Sequence, residues 1–257
     1  MPTNEPSILF IDIETLPNVA WTWGKYDQNV LGFERQSCIA TVAYKWLGKP
    51  VKAMSLPDFP GYAPGSYDDN ALVRFIHGIL DSADIAVAHN GKQFDFKVIS
   101  GRFIVHGLNP PSPYKIIDTK LLAKRVARYN SNKLDDLGEL LGVGRKIHTD
   151  FGLWKGCMDG DPKAWATMVR YNKQDVVLLE KVYLKFRPWD QSHPNVALYR
   201  KELVVKAICP KCGSDKMRSN GWRVVNTRRY KRLVCLDCGG WSRGTHSESS
   251  VQVANAV

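Results

Sequence analysis

At 257 residues, 44% of them hydrophobic, the chain has material for one large domain or two unequal ones, each with a buried core. No apolar run approaches the roughly 20 residues a membrane span needs, and Met1–Ser7 lacks the basic stretch and apolar core of a signal segment. A soluble, cytoplasmic protein with no membrane partner is expected. The formal net charge of +11 is spread unevenly along the chain.

Taken in order, the first element is Ile8-Leu9-Phe10-Ile11-Asp12-Ile13-Glu14-Thr15, which reads as a buried central strand over 8–14. Side chains two apart on a strand share a face, so Asp12 and Glu14 stand side by side. Adjacent like charges repel, and a cation is expected between them; the plainer reading is that they cap the strand at its turn. An insertion over 17–37 holds Trp21, Trp23, Tyr26 and Phe33. Loop aromatics of this kind stack on unpaired bases or, more often, pack beneath the loop, and packing is the expectation here. Strands follow near 39–47 and 51–56, then a Pro/Gly/Tyr loop over 57–67 and a helix near 69–82.

A strand near 84–88 runs into His89-Asn90-Gly91, and a helix near 92–107 carries Asp95 in its first turn. The helix dipole alone would favour an acid there. A short strand near 115–118 precedes helices near 119–128, 133–142 and 161–185. In the last of these Val169, Val176, Leu179 and Val182 are the apolar positions, and Tyr171 and Asp175, four apart, project from one face. Lys146 to Trp154, just before it, is expected to border a site, with His148 structural. Early strands followed by mixed helices predict an α/β fold with a mixed central sheet covered by helices.

Asp12 with Glu14, Asp95, and Asp175 thus come from three separated segments. Gathered into one pocket, four carboxylates suit hard divalent cations, which share oxygen sites with phosphate. Two such ions can clamp the attacking and leaving oxygens of a phosphodiester displacement.

These segments resemble the three exonuclease motifs of the DEDD (DnaQ-like) 3′–5′ exonucleases, in the subclass whose last motif is Tyr-x-x-x-Asp. They are closest to the proofreading-type domains related to family B DNA polymerases and their bacterial or phage relatives. Asp12 and Glu14 match the first motif, Asn90, Phe94 and Asp95 the second, and Tyr171 with Asp175 the third. Ile117-Asp118-Thr119, Leu121-Leu122-Ala123 and Lys133-Leu134-Asp135-Asp136-Leu137-Gly138 also fit, so the resemblance covers roughly 5–190. It implies an RNase H-like fold and two Mg²⁺ or Mn²⁺ ions held by Asp12, Glu14, Asp95 and Asp175. It implies too that Tyr171 orients the attacking water and that the backbone after Glu14, with Thr15 and Leu16, meets the terminal nucleotide. Asn90 and Phe94 would also lie against substrate, and Asp118 would be structural. The setting implied is a bacterial or phage-infected cell.

Residues 188–195 read as a linker. Beyond it, Cys209-Pro210-Lys211-Cys212 and Cys235-Leu236-Asp237-Cys238 are two Cys-x-x-Cys knuckles, each followed by Gly (Gly213, Gly239). Four thiolates close a tetrahedral site for one structural Zn²⁺, with a hairpin near 221–234 between the knuckles. The segment over 204–245 resembles a zinc ribbon, and 246–257 reads as a disordered tail. Cys38 and Cys157 are left as small apolar residues. From Val196 onward there are 12 Lys+Arg against 4 Asp+Glu, so this part carries +8 and leaves +3 for the rest. Arg223, Arg228, Arg229, Lys231 and Arg232, with Trp222, Tyr230 and Trp241 interleaved, predict a nucleic-acid platform.

The combined expectation is a 3′–5′ exonuclease acting on DNA, single-stranded, at 3′ ends or branched, alongside replication or repair proteins. RNA as substrate, a structure-specific endonuclease on the same core, and a non-catalytic binding protein are the alternatives.

Overall fold

The computed structural model describes residues 5–200, 206–225 and 227–248. It divides into two compact units, Ser7–Tyr183 and a second built from Leu184 onward with the N-terminal residues.

The first unit is built on a five-stranded sheet. Its strands are β1 (Ile8–Leu16), β4 (Cys38–Trp46), β5 (Lys52–Ser55), β6 (Ile85–Ala88) and β7 (Lys115–Asp118), in the order β5-β4-β1-β6-β7. β1 is antiparallel to β4 and parallel to β6, which is parallel to β7, so the sheet is mixed. Helices α1 (Asn70–Asp81), α2 (Asp95–Val105), α3 (Thr119–Val126), α4 (Leu134–Leu140), α5 (Phe151–Met158) and α6 (Pro162–Phe186) accompany it.

β1 is apolar throughout its first half because it is covered on both sides. Leu9, Ile11 and Ile13 join Leu72, Val73, Ile76 and Leu80 of α1 and Phe96, Ile99 and Phe103 of α2 in the main core. Phe10, on the opposite face, meets Tyr183 of α6 edge to face, ring centroids 5.3 Å apart. Asp12 and Glu14 share the parity of Phe10 and therefore belong to the α6 face. The pairing of β1 with β4 slips after Glu14: Glu14 opposes Thr41 but Thr15 opposes Ile39, leaving Ala40 as the extra residue of a bulge.

A buried acid ties this unit together. Asp69, fully buried, accepts hydrogen bonds from the Ile39 N–H (2.8 Å) and Arg102 Nε (2.8 Å), and lies 2.7 Å from His106 Nε2. It thereby joins the start of α1 to β4 and to the end of α2.

Two elements differ from expectation. The 17–37 insertion forms a small hairpin, β2 (Val19–Trp21) with β3 (Gly32–Arg35), and α5 appears in the segment before α6. The insertion's aromatics are not packed beneath it: Trp21, Trp23, Tyr26 and Phe33 are 64%, 87%, 73% and 52% exposed. Being a separate two-stranded ribbon, the hairpin has no sheet face to bury them against.

In the second unit β8 (Met217–Val225), β9 (Arg228–Cys235) and β10 (Trp241–Glu248) form an antiparallel sheet in the order β10-β9-β8. The hairpin foreseen near 221–234 is longer and gains a third strand. That strand occupies 246–248, which were expected to be tail; the tail from 249 lies outside the described residues. The 188–195 linker contains a short 3₁₀ turn, Arg187–Trp189, with another at Val196–Tyr199 just beyond it. No described helix is long and apolar enough to cross a membrane.

Candidate active site and cysteine cluster

β1 and α6 bring three of the four acids together. Asp12, Glu14 and Asp175 each offer an oxygen within 4.8 Å of the others. Asp95 does not complete this group at the same distance. Its Oδ1 instead accepts the Ile13 N–H (3.2 Å), from the start of α2. Its charge still reaches the cluster, because it helps to raise the pKa of both Asp12 and Glu14.

Electrostatically the cluster is frustrated. Burial, then Asp95, Glu14 and Asp175, hold the Asp12 carboxyl well above the usual carboxylate range. Burial lifts Glu14 to about 7 against the pull of Lys146, with Asp175 and Asp95 adding to the rise. Asp95 is pushed up to about 6 by burial, opposed by the Ile13 N–H, and Asp175 is raised by burial in spite of Lys146. Such a site favours either protons or added cations.

The cation among the acids is Lys146, which pairs with Asp175 rather than sitting between Asp12 and Glu14, where one was expected. Its Nζ lies 2.6 Å from Asp175 Oδ2 and donates to the Tyr171 hydroxyl (3.2 Å). Burial would discharge this lysine, but Asp175 beside it outweighs burial and keeps it charged. Lys146 takes Asp175 Oδ2, while Oδ1, buried as well, has no hydrogen-bond partner among the described residues. Buried carboxylate oxygens without donors are costly unless something else takes them. Divalent cations fit this donor set of oxygens only.

Lys146 is delivered by α4. Asp135 Oδ1 accepts the Lys146 N–H (2.7 Å), and Arg145 bridges Asp135 (3.2 Å) and Glu139 (2.9 Å). Gly138 permits the close approach this requires: a Cβ there would stand 2.5 Å from the Gly144 carbonyl and 2.8 Å from Leu178.

Other residues brace the acids. Asn172 Nδ2 donates to Asp12 Oδ2 (2.6 Å), and its Oδ1 accepts from the Thr41 hydroxyl (3.0 Å). Trp154 of α5 donates to the Thr15 carbonyl (3.1 Å) and sets its ring 6.3 Å from that of Tyr171. Asp118 caps α3 and accepts the Asn90 and Lys92 N–H groups (both 3.1 Å), which holds the loop before α2. His89 is locked between Thr119 (2.9 Å) and the Asn132 carbonyl (3.0 Å), and burial lowers it to about 4.

Of the positions expected to meet a nucleotide, Phe94 is 42% exposed, and Asn90 holds a left-handed backbone with its side chain accepting from Lys120. Leu16, in contrast, is a core residue whose carbonyl is taken by the Ser37 hydroxyl. The segment from Lys146 to Trp154 was expected to border the site, but the roles of these two residues were not foreseen, and Asn172 was not singled out by sequence. For Lys146 the signal existed, since paired like charges demand a cation.

In the second unit Cys209, Cys212, Cys235 and Cys238 bring their sulfurs within 4.8 Å of one another. The Cys209–Cys238 and Cys212–Cys235 separations are 3.7 and 3.6 Å. A tetrahedron with metal–sulfur bonds of about 2.3 Å has edges of about 3.8 Å, so these thiols fit a four-sulfur metal site. Gly213 and Gly239, at φ +78° and +75°, turn each knuckle so that its N–H returns to the Cys209 or Cys235 carbonyl. Burial would raise the Cys235 thiol, but the Cys238 and Asp237 N–H groups prevail and lower it to about 7.

A family model described as RNase_H superfamily matches residues 9–187. No curated protein matches the chain. Among similar solved structures is the family B DNA polymerase from the hyperthermophilic archaeon Pyrobaculum calidifontis, at a TM-score of 0.52 and 16% identity. The likeness covers 71% of this chain and 25% of the polymerase's, and at that identity it establishes shared fold alone.

Proposed function

The chain belongs to the RNase_H superfamily, and from that premise we propose a metal-dependent 3′–5′ exonuclease of the Tyr-x-x-x-Asp (DEDDy) subclass, acting on DNA. The observation that carries this reading is the convergence of Asp12, Glu14 and Asp175, with the buried Asp175 Oδ1 lacking a hydrogen bond and the Tyr171 hydroxyl on the same face of α6. Asp12, Glu14, Asp95 and Asp175 would hold two Mg²⁺ or Mn²⁺ ions. When bound, such ions supply positive charge to the scissile phosphate and acidity to an attacking water.

The remaining roles fall to the chain itself. Burial, Glu14 and Asp175 raise the Tyr171 pKa, so the phenol keeps its proton and acts as a hydrogen-bonding guide rather than a base. Lys146 offsets the carboxylates' repulsion, and Asn172 fixes the rotamer of Asp12. Thr15 and Phe94 would flank the terminal nucleotide. One Zn²⁺ on the four cysteines would close a structural zinc ribbon, since four thiolates leave no open position. A unit this small gains its fold from such a metal.

The test uses 5′-labelled single-stranded DNA with Mg²⁺ or Mn²⁺, comparing wild type with Asp12→Ala. A ladder shortening from the 3′ end, absent in the variant and without metal, is the expected result. Discrete internal cuts on branched DNA would replace this reading with a structure-specific endonuclease. Metal-dependent digestion of RNA in preference to DNA would overturn the assigned substrate.

A further inference from the structure

The sheet of the second unit has two chemically different faces. Opposed residues of an antiparallel pair share a face, and successive residues alternate. Arg228, Tyr230, Arg232 and Val234 of β9 lie on one face. Their partners there are Val225, Arg223 and Arg218 of β8, and Ser247, Arg243 and Trp241 of β10. That face carries five arginines, all exposed, and no acid. Arg229 and Lys231, grouped with the others by sequence, fall on the opposite face. There Arg229 is spent on Glu248 (3.2 Å), and Lys231 lines a groove with Lys206 and Ile208 of the same unit.

The arginine face pairs its aromatics with its own cations, as Arg229 and Trp222 do on the opposite face (4.4 Å). Arg232 lies 5.0 Å from the Trp241 ring and Arg243 4.1 Å from the Tyr230 ring. Each ring has a guanidinium over one side, which leaves less of it free to stack on an unpaired base. Single-strand binders depend on such stacking. What this face offers is a flat array of fixed donors with planar geometry suited to phosphate. Arg218, Arg223 and Arg228 add charges with no ion pair or hydrogen bond among the described residues.

We propose that this face docks the phosphodiester backbone of a nucleic-acid duplex, without reading sequence. A duplex turns its bases inward and presents one charge per roughly 1.7 Å, twice the linear density of a single strand. Charge complementarity with little base stacking therefore selects the duplex. The proposal does not depend on cleavage: it concerns binding in the absence of divalent cations and stands or falls separately from the nuclease reading.

The test measures full-length protein binding a blunt DNA duplex by fluorescence anisotropy, with no added Mg²⁺ or Mn²⁺. Arg223→Gln/Arg228→Gln is compared with Arg229→Gln/Lys231→Gln, each removing two positive charges. The first variant should weaken binding about 60-fold at 0.1 M salt and lower the salt slope by about 1.8; the second should stay within about twofold of wild type. Both should retain the wild-type zinc content, which reports an intact fold. Equal losses in the two variants would mean diffuse attraction and overturn the proposal. So would no loss in either, or tighter binding of a single strand of equal length through the arginine face.

Discussion

Replacing Glu14 with Gln should abolish cleavage yet stabilise the protein above pH 7 when Mg²⁺ and Mn²⁺ are absent. Burial is the main reason that the Glu14 carboxyl rises from 4.5 to about 7, opposed by Lys146. A carboxyl raised in the fold binds its proton more tightly there than in the unfolded chain. The resulting stability is present in full below pH 4.5 and is lost as pH climbs through 7. At 1.36 kcal/mol per unit, the shift corresponds to about 3 kcal/mol, an upper bound because neighbouring acids share the repulsion. Gln preserves the shape and carries no charge, so the variant escapes this loss. Urea unfolding followed by far-UV circular dichroism is the assay, since every described α-helix lies within residues 70–186. Wild type and variant should differ by under about 1 kcal/mol at pH 5, and by about 2–3 kcal/mol in favour of the variant at pH 8. An identical pH slope in the two proteins, or a variant weaker at pH 8, would refute the electrostatic account of the site.

Lys146→Met should destabilise protein lacking Mg²⁺ and Mn²⁺ by about 2 kcal/mol, discounted for partial exposure of the pair. Thermal melts with saturating Mn²⁺ should recover most of that loss, because the ion supplies the missing positive charge. If Mn²⁺ leaves the deficit unchanged, Lys146 is not the charge partner of the carboxylates. Gly138→Ala forces a Cβ against the Gly144 carbonyl at 2.5 Å and should cost about 1–3 kcal/mol. By moving the loop that carries Lys146 it should also lower kcat at least tenfold with a smaller change in KM. Unaltered kinetics would show that the loop tolerates displacement.

The sheet was legible where hydrophobic pattern and burial coincide. β1 reads as a central strand because both its faces are covered, and the two acids stand out because they interrupt that pattern at alternate positions. Tyr171 and Asp175 are equally visible through their helical spacing. Asn172 is not, and Lys146 is legible only as one end of a segment bordering the site. Lys146 belongs to a loop fixed by one backbone hydrogen bond to Asp135, which leaves no period to read. Asn172 sits beside Tyr171 and acquires meaning only by reaching Asp12 across the fold. α5 is eight residues with two glycines, too short for a periodic signal, and forms with Asp150 accepting the Gly152 N–H (2.8 Å) as its cap. In the second unit net charge was readable but facing was not: strand alternation divides Arg228 from Arg229, and only the register with β8 and β10 tells which side each joins.

The contact between Asn172 and Asp12 spans 160 residues of sequence. β1 leaves the ribosome early, but α6, which brings Asn172 and Asp175, emerges only after nearly the whole first unit has been made. Chains fold from the N-terminus as they are synthesised, so a partly made polypeptide carries Asp12 and Glu14 without the partner that completes their cluster. A nascent chain, or one truncated before α6, therefore lacks the Asp175 carboxylate that completes the cluster. The chain order of β1 and α6 makes assembly of the acidic cluster one of the last events in the synthesis of the first unit.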